Sequence, residues 1–304
     1  MRDYLTSKDC SVVFGQNVFA GSRVSGLGKD IDLIAGVKSL NTPNIENSLM
    51  ATGLGLMLAG TSSIFIMKQH DFAVLGLDQL INSWNLIRNL KLDASFIILM
   101  VVVDTGLEGP QANLYNLDEF VSLTRAPVYL LSTKENIDLA FKAATTPGLH
   151  FMAVGQSQMK SAVELQNTDS ICAGTGTLLK LSPSKTKTLI VYFGLNVQLA
   201  FNLVSRLLNT DISSDIFAVS NLLDIQALVD EPEIAKYQNI IVADSGKSLF
   251  SASAEFERSI RRNHAKVVYL KRYPSPSWSE VDAVEFEFND SDIECIQEAL
   301  GERP

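Results

Sequence analysis

The run SFIILMVVVD, residues 95–104, constrains this chain more than any other stretch. It is apolar without alternation, whereas a strand with one wet face alternates apolar and polar residues. The pattern is that of a strand covered on both faces. Such a strand needs helices above and below it, and the neighbouring sequence offers them. CSVVFGQ, SSIFIMK, APVYLLS and LHFMAVG read as further strands. Between them IENSLMATGLGLMLAG, stopped by Gly60, reads as a helix, as do DFAVLGLDQLINSWNLIRNLK, NLYNLDEFVSLTR and STKENIDLAFKAAT. The last is opened by a capping box, Ser132 with Glu135. Repeated βα units predict a mostly parallel, doubly wound α/β sheet with helices on both faces.

Residues 156–187 break this rhythm with a polar, turn-rich stretch that reads as an inter-domain connection. A second series follows: strands TLIVYFG, DIFAVS, NIIVADS and KVVYLKRY, with helices LNVQLAFNLVSRLL, SASAEFERSIRRN and SDIECIQEALG. The expected organisation is two α/β domains, residues 1–155 and 188–304, joined by 156–187. A length of 304 residues and a hydrophobic content of 46% suffice for two cores.

The net charge of −9 argues against a nucleic-acid groove or an anionic membrane surface as partner. Asn47 to Met67 is long enough to span a bilayer, but its glycines and the change of texture at Gly60 fit a helix, a turn and a strand. MRDYLTSKDC carries no apolar signal core, so a cytoplasmic protein is expected. Cys10, Cys172 and Cys295 show neither disulfide nor zinc spacing, and His70, His150 and His264 show no metal spacing. No metal site is expected on this chain. Ser245-Gly246-Lys247-Ser248 has the tail of a phosphate-binding loop, but Ile241 stands where its first glycine belongs. Gly174 and Gly176 lack the third glycine of a dinucleotide fingerprint.

From Asn41 to Met67 the one charge is Glu46, at the mouth of a small-residue, apolar helix. An acidic residue in a first helical turn is favoured by the dipole, and that alone would account for it. Its surroundings say more. TPNIENSLMATGLGLMLAG followed by IMKQHDFAVLGLDQLINSW resembles the β subunit of the thiamin-diphosphate-dependent 2-oxo acid dehydrogenase decarboxylases of the pyruvate and branched-chain type. The related transketolase family shares the same two domains. The resemblance continues through GPQANLYNLDEFVSLTRAPVYLLSTKENIDLAFKAA, TLIVYFG and IIVADSG…SASAEF.

The resemblance implies a pyrimidine-binding domain followed by a transketolase C-terminal-like domain. It implies that Glu46 is catalytic: a glutamate there hydrogen-bonds the cofactor's aminopyrimidine and promotes the imino tautomer that removes the thiazolium proton. Phe72 would pack against the pyrimidine, with Asn44, Lys68 and Gln69 beside it as cofactor-binding residues. Asp78, Gln79 and Asn82 match a DQxxN helix with a structural or interface role. The small face Gly53, Gly55, Ala59 would allow close helix approach across a subunit boundary. The family's GDG…N motif for magnesium and diphosphate is missing, which implies an α subunit that carries it, an α2β2 assembly, and a chain incomplete by itself. Three positions depart from the pattern: Gln16 for an acidic residue, Lys68 for an uncharged one, and Ala112 for a histidine. These bear on substrate and acceptor rather than on cofactor. The expected activity is decarboxylation of a 2-oxo acid with transfer of the resulting unit. The alternatives are the C-terminal half of a split transketolase acting on sugar phosphates, and a non-catalytic scaffold of the same fold.

Overall fold

The computed structural model describes residues 1–7, 10–19, 21–24, 26–104, 115, 117–160, 169–181, 186–264, 266–271 and 287–301. Two six-stranded sheets organise them. The first contains β1 (Cys10–Gly15), β2 (Lys38–Asn41), β3 (Ser62–Met67), β4 (Ser95–Val102), β5 (Val128–Leu130) and β6 (Gly148–Gly155). Their order is β2-β1-β3-β4-β6-β5, with every neighbouring pair parallel. The second contains β7 (Asp169–Ala173), β8 (Gly176–Lys180), β9 (Thr188–Phe193), β10 (Ser214–Val219), β11 (Asn239–Asp244) and β12 (Lys266–Lys271). Its order is β12-β11-β9-β10-β8-β7, parallel except for the β7–β8 hairpin and the β8–β10 pair.

β4 is buried along its whole length, as its unbroken apolar run requires. Its side chains divide by the two-residue period of a strand. Ile97, Leu99 and Val101 join a core on the outer face of the first sheet. Phe96, Ile98 and Met100 join a second core that also holds Val191, Val219 and Val242 from the other sheet. Each such side chain contributes about 1.5–3 kcal/mol on burial, so this shared core ties the two sheets together.

Polar contacts reinforce the junction. Fully buried Asn136 donates to the carbonyls of Ala218 (3.2 Å) and Val219 (3.1 Å) and accepts from the Thr177 hydroxyl (2.8 Å). Leu130 N–H donates to the Ser220 carbonyl (2.7 Å), and Leu222 N–H to the Val128 carbonyl (3.0 Å). Asp118, in the helix Asp118–Thr124, accepts from the N–H of Ala252 (2.7 Å), the first residue of the helix Ala252–Ile260. The N-cap residue of that second helix, Ser251, makes no side-chain cap of its own, so the first sheet's unit caps it.

Several expectations need correction. Residues 169–180, expected inside a connection, form the β7–β8 hairpin and extend the second sheet. The hairpin was hidden by its polar outer strand and by Gly174 and Thr175, which make its turn. The long helix expected from residue 71 is a composite: a 3-10 segment His70–Gly76, a π segment Gln79–Ser83 and a short α-helix Trp84–Ile87. Asp78 there accepts from Asn82 (2.8 Å) and Gln79 (3.3 Å), and the Ser83 hydroxyl donates to Gln79 (2.6 Å). The helix Lys134–Ala143 is capped by Thr133, whose hydroxyl accepts from Asn136 N–H (3.1 Å), and not by Ser132. Glu135 accepts from Ser170 of the hairpin (2.8 Å) instead of closing a capping box. No helix among the described residues is long and apolar enough to cross a membrane; Asn47 to Met67 is a helix, a turn at Gly60 and β3.

The small-residue face of the helix Glu46–Leu58 also departs from expectation. Gly53 faces the chain's own core: a Cβ there would lie 2.1 Å from the Phe96 ring. Gly55 is open, with nothing within 4 Å of such an atom. Gly53→Ala is therefore expected to destabilise the chain by about 1–3 kcal/mol through overpacking, with a loss of Tm independent of protein concentration. Gly55→Ala is expected to stabilise it by about 0.5–1 kcal/mol; thermal unfolding of both variants at two concentrations checks the contrast.

Burial, with Asp244 nearby, pushes the Asp118 carboxyl from its ordinary 3.8 up to about 6, although Ala252 N–H and Lys271 oppose the shift. The folded chain then holds a proton between about pH 6 and the ordinary range that the unfolded chain releases. Stability from this group rises as pH falls through that window and is lost as pH rises through it. Asp118→Asn keeps a capping acceptor and should flatten this part of the stability–pH curve. Asp118→Ala should flatten it and also remove about 1 kcal/mol of cap, both measured by denaturant unfolding from pH 4 to pH 8.

Candidate functional site

A doubly wound sheet binds ligands outside the carboxyl ends of its strands, where successive connections leave in opposite directions. β1 lies between β2 and β3, so the chain steps from β1 to one side and then crosses over to the other. A cleft with an open volume of about 250 Å³ sits at this point. Its polar lining is Gln16, Asn44, Glu46 and Lys68, and Leu49, Ile66, Met67 and Phe72 are among its apolar residues.

The local fold explains how these side chains meet. Gln16 follows β1, and Lys68 follows β3. The Gly15 carbonyl accepts from Thr42 N–H (3.0 Å), which fixes the loop carrying Asn44 toward Glu46. Pro43 precedes the helix, and Glu46 is its first residue. Leu49 N–H closes the first turn onto the Ile45 carbonyl (3.0 Å), and no side chain caps the start. Phe72 lies in the 3-10 segment, half-buried and packed against the shared core.

Of the residues singled out in the sequence, Asn44, Glu46, Lys68 and Phe72 line one cleft. Gln69 does not line it; its carbonyl accepts from Phe72 N–H (3.3 Å) at the start of the turn. Gln16, noted as a departure, does line it, while Ala112 lies outside the described residues. Below the turn, buried His70 places Nδ1 3.0 Å from Asp71 Oδ2.

Glu46 is half-buried, and its side chain makes no hydrogen bond or ion pair among the described residues. The same holds for exposed Lys68. Glu46 lines the cleft, where its carboxylate is open to a ligand or to water. The uncharged stretch after Glu46 reads in sequence as an isolated carboxylate. In space it ends at Lys68, which β3 carries back to the same cleft.

A second cleft, of about 280 Å³, lies between the two units and includes Tyr115, Asp118, Asp244 and Ser253 in its lining. Its carboxylates are engaged by protein donors. Asp244 accepts from Gly246 N–H (2.7 Å), from Lys271 (2.7 Å) and from the Ser253 hydroxyl. The nearby GKS turn is built into the junction: Lys247 N–H donates to the Tyr115 carbonyl (3.1 Å) and Ser248 to Glu119 (2.8 Å). His150 is structural, with Nε2 2.8 Å from the Thr146 carbonyl, and burial lowers its pKa.

A carboxylate not used by the fold should be removable without harm to it. Glu46→Gln is expected to change unfolding free energy by less than about 0.5 kcal/mol, measured by urea denaturation.

No protein-family model matches the chain, and no curated protein matches its sequence. Solved structures do match. A chain described as "Split gene transketolase, inactive beta4 tetramer" superposes with a TM-score of 0.68 at 15% identity, over 100% of this chain and 96% of that one. The likeness establishes the architecture, a transketolase-like pair of α/β units.

Proposed function

We propose that this chain is the pyrimidine-binding half of a split thiamin-diphosphate enzyme. In this reading it decarboxylates a 2-oxo acid and passes on the remaining unit, together with a partner α subunit. One observation carries the reading: a half-buried carboxylate with no partner among the described residues, Glu46, shares a cleft with a half-buried aromatic ring, Phe72. A flat heteroaromatic ring with an N–H or ring nitrogen at its edge suits that pair. Phe72 offers a face for stacking, and Glu46 an acceptor at the edge. The apolar side chains Leu49, Ile66 and Met67 keep the dielectric low around the carboxylate and strengthen that bond.

When bound, the cofactor supplies an acidic thiazolium carbon and an electron sink. The chain's own part is narrower. Glu46 shares a proton with the ring nitrogen, and Phe72 holds the ring in place. The diphosphate and magnesium belong, in this reading, to the α subunit of an α2β2 assembly. The structural neighbour is described as an inactive tetramer of β chains, which supports a chain that assembles without its partner and is then inactive.

Glu46→Gln in the complex with the α subunit tests the reading. The variant keeps size and a hydrogen-bonding group but cannot share the proton. A charge-assisted bond is worth about 1.5–3 kcal/mol, so deuterium exchange at the thiazolium carbon should slow by roughly one to two orders of magnitude. Cofactor occupancy should change much less. Unchanged exchange at confirmed occupancy would remove Glu46 from this role. Phe72→Ala should weaken cofactor binding and leave the exchange rate of the occupied fraction closer to wild type.

A further inference from the structure

We propose that the cleft between the two units, at the strand ends of the second sheet, is a ligand site of its own for a primary ammonium group on a small apolar body, with Asp118 as its acceptor. This goes beyond the reading above and does not depend on it. The second sheet has a switch point of the kind that places the first cleft. β9 lies between β10 and β11, so the chain steps from β9 to one side and then crosses over to the other. Ligand crevices in doubly wound sheets open at the carboxyl ends of such a pair. The cleft of about 280 Å³ sits there. Phe193 ends β9 and Gly194 follows it; Asp244 ends β11 and Gly246 lies just beyond; all four line the cleft. The first unit closes it with Leu117, Asp118 and Leu130, so a bound ligand touches both units and holds them together.

Asp118 is the acceptor that this junction leaves half used. Its Oδ1 takes the Ala252 N–H (2.7 Å), and its Oδ2 makes no hydrogen bond among the described residues. The other lining carboxylate, Asp244, is fully engaged: Gly246 N–H reaches Oδ1 (2.7 Å), while Lys271 (2.7 Å) and the Ser253 hydroxyl reach Oδ2. The lining hydroxyls are engaged as well, since Ser253 donates to Asp244 and the Tyr115 oxygen accepts from Leu195 N–H (2.9 Å). The charge around Asp118 is unbalanced. Burial, then Asp244 and Glu119, disfavour its ionised form, and Lys271, which opposes them, is already bonded to Asp244. A cation beside Oδ2 relieves that penalty, and an anion there increases it. The closed part of the cleft has room for a group of about water's size. A primary ammonium is that size and carries three donors. Around it Leu117, Leu130, Phe193 and Leu222 offer apolar surface to a short hydrocarbon body.

The test uses the full chain and three probes that share one body: 3-methylbutylamine, 3-methylbutan-1-ol and 3-methylbutanoate. Ligand-observed NMR titration at neutral pH gives an affinity for each with wild type, Asp118→Asn and Glu46→Gln. Asp118→Asn keeps an acceptor for Ala252 N–H and removes the charge. Wild type should prefer the amine over the alcohol by about tenfold or more and bind the carboxylate most weakly. Asp118→Asn should lose the preference, and Glu46→Gln, altered only in the first cleft, should keep it. Amide hydrogen exchange of wild type should slow in the helix Ala252–Ile260 on addition of the amine and stay unchanged in the helix Glu46–Leu58. If Asp118→Asn fails to fold, this exchange pattern and the Glu46→Gln titration decide. Absence of binding, equal affinities for amine and alcohol, a preference that survives in Asp118→Asn, or unchanged exchange in Ala252–Ile260 would each overturn the proposal. Loss of the preference in Glu46→Gln would place the amine in the first cleft and overturn it too, with the reading of Glu46 and Phe72 untouched.

Discussion

The close approach of β1 to β3 at Gly15 is the constraint on which the candidate cleft depends. A Cβ on Gly15 would lie 2.2 Å from the Ile66 carbonyl oxygen, and the residue sits at φ +148°. Only glycine meets both conditions without displacing a strand. Its own carbonyl then takes the Thr42 N–H, so one residue fixes the ends of β1 and β3 and the loop into the helix Glu46–Leu58. The cleft's polar residues follow from these ends: Gln16 after Gly15, Lys68 after Met67, and Asn44 and Glu46 beyond Thr42. The polar groups of the candidate cleft thus sit on short segments leaving a buried sheet, where little of the geometry is free to change.

Electrostatics divides the two clefts into different kinds of object. Between the units, Asp244, Asp118 and Glu119 are engaged by Lys271, backbone N–H groups and serine hydroxyls. Those charges hold the molecule together. At the first sheet's cleft, Glu46 and Lys68 make no hydrogen bond or ion pair with any described residue. A charge that the fold does not use, in a cleft with apolar walls, is where binding energy remains available to a ligand.

Much of the fold was legible in the sequence because it rests on patterns with a strong physical cause. The unbroken run of β4 announced a doubly covered strand, and the surrounding βα rhythm announced a parallel sheet. The β7–β8 hairpin was not legible, since an edge strand with exposed Asp169 and Ser170 carries no apolar pattern. The composite helix from His70 was not legible either: helical periodicity does not distinguish 3-10, π and α turns, and contact with Met50 at Gly76 is set by tertiary packing. At the cleft, the positions of Asn44, Glu46, Lys68 and Phe72 were signalled by a family resemblance and not by spacing. That Glu46 and Lys68 make no ion pair with each other or with any described residue is a property of the fold that the resemblance does not carry. Gly53 shows the converse: a small residue read as an interface contact packs under Phe96.

The central claim is that the cleft of Glu46 and Phe72 receives an aminopyrimidine ring. A crystal structure of the chain saturated with 2-methyl-4-aminopyrimidine tests it most directly. The account predicts density for the ring against the face of Phe72, with a ring nitrogen or amino group within hydrogen-bonding distance of a Glu46 carboxylate oxygen. An empty cleft at saturating ligand, or a ring bound elsewhere, would contradict it.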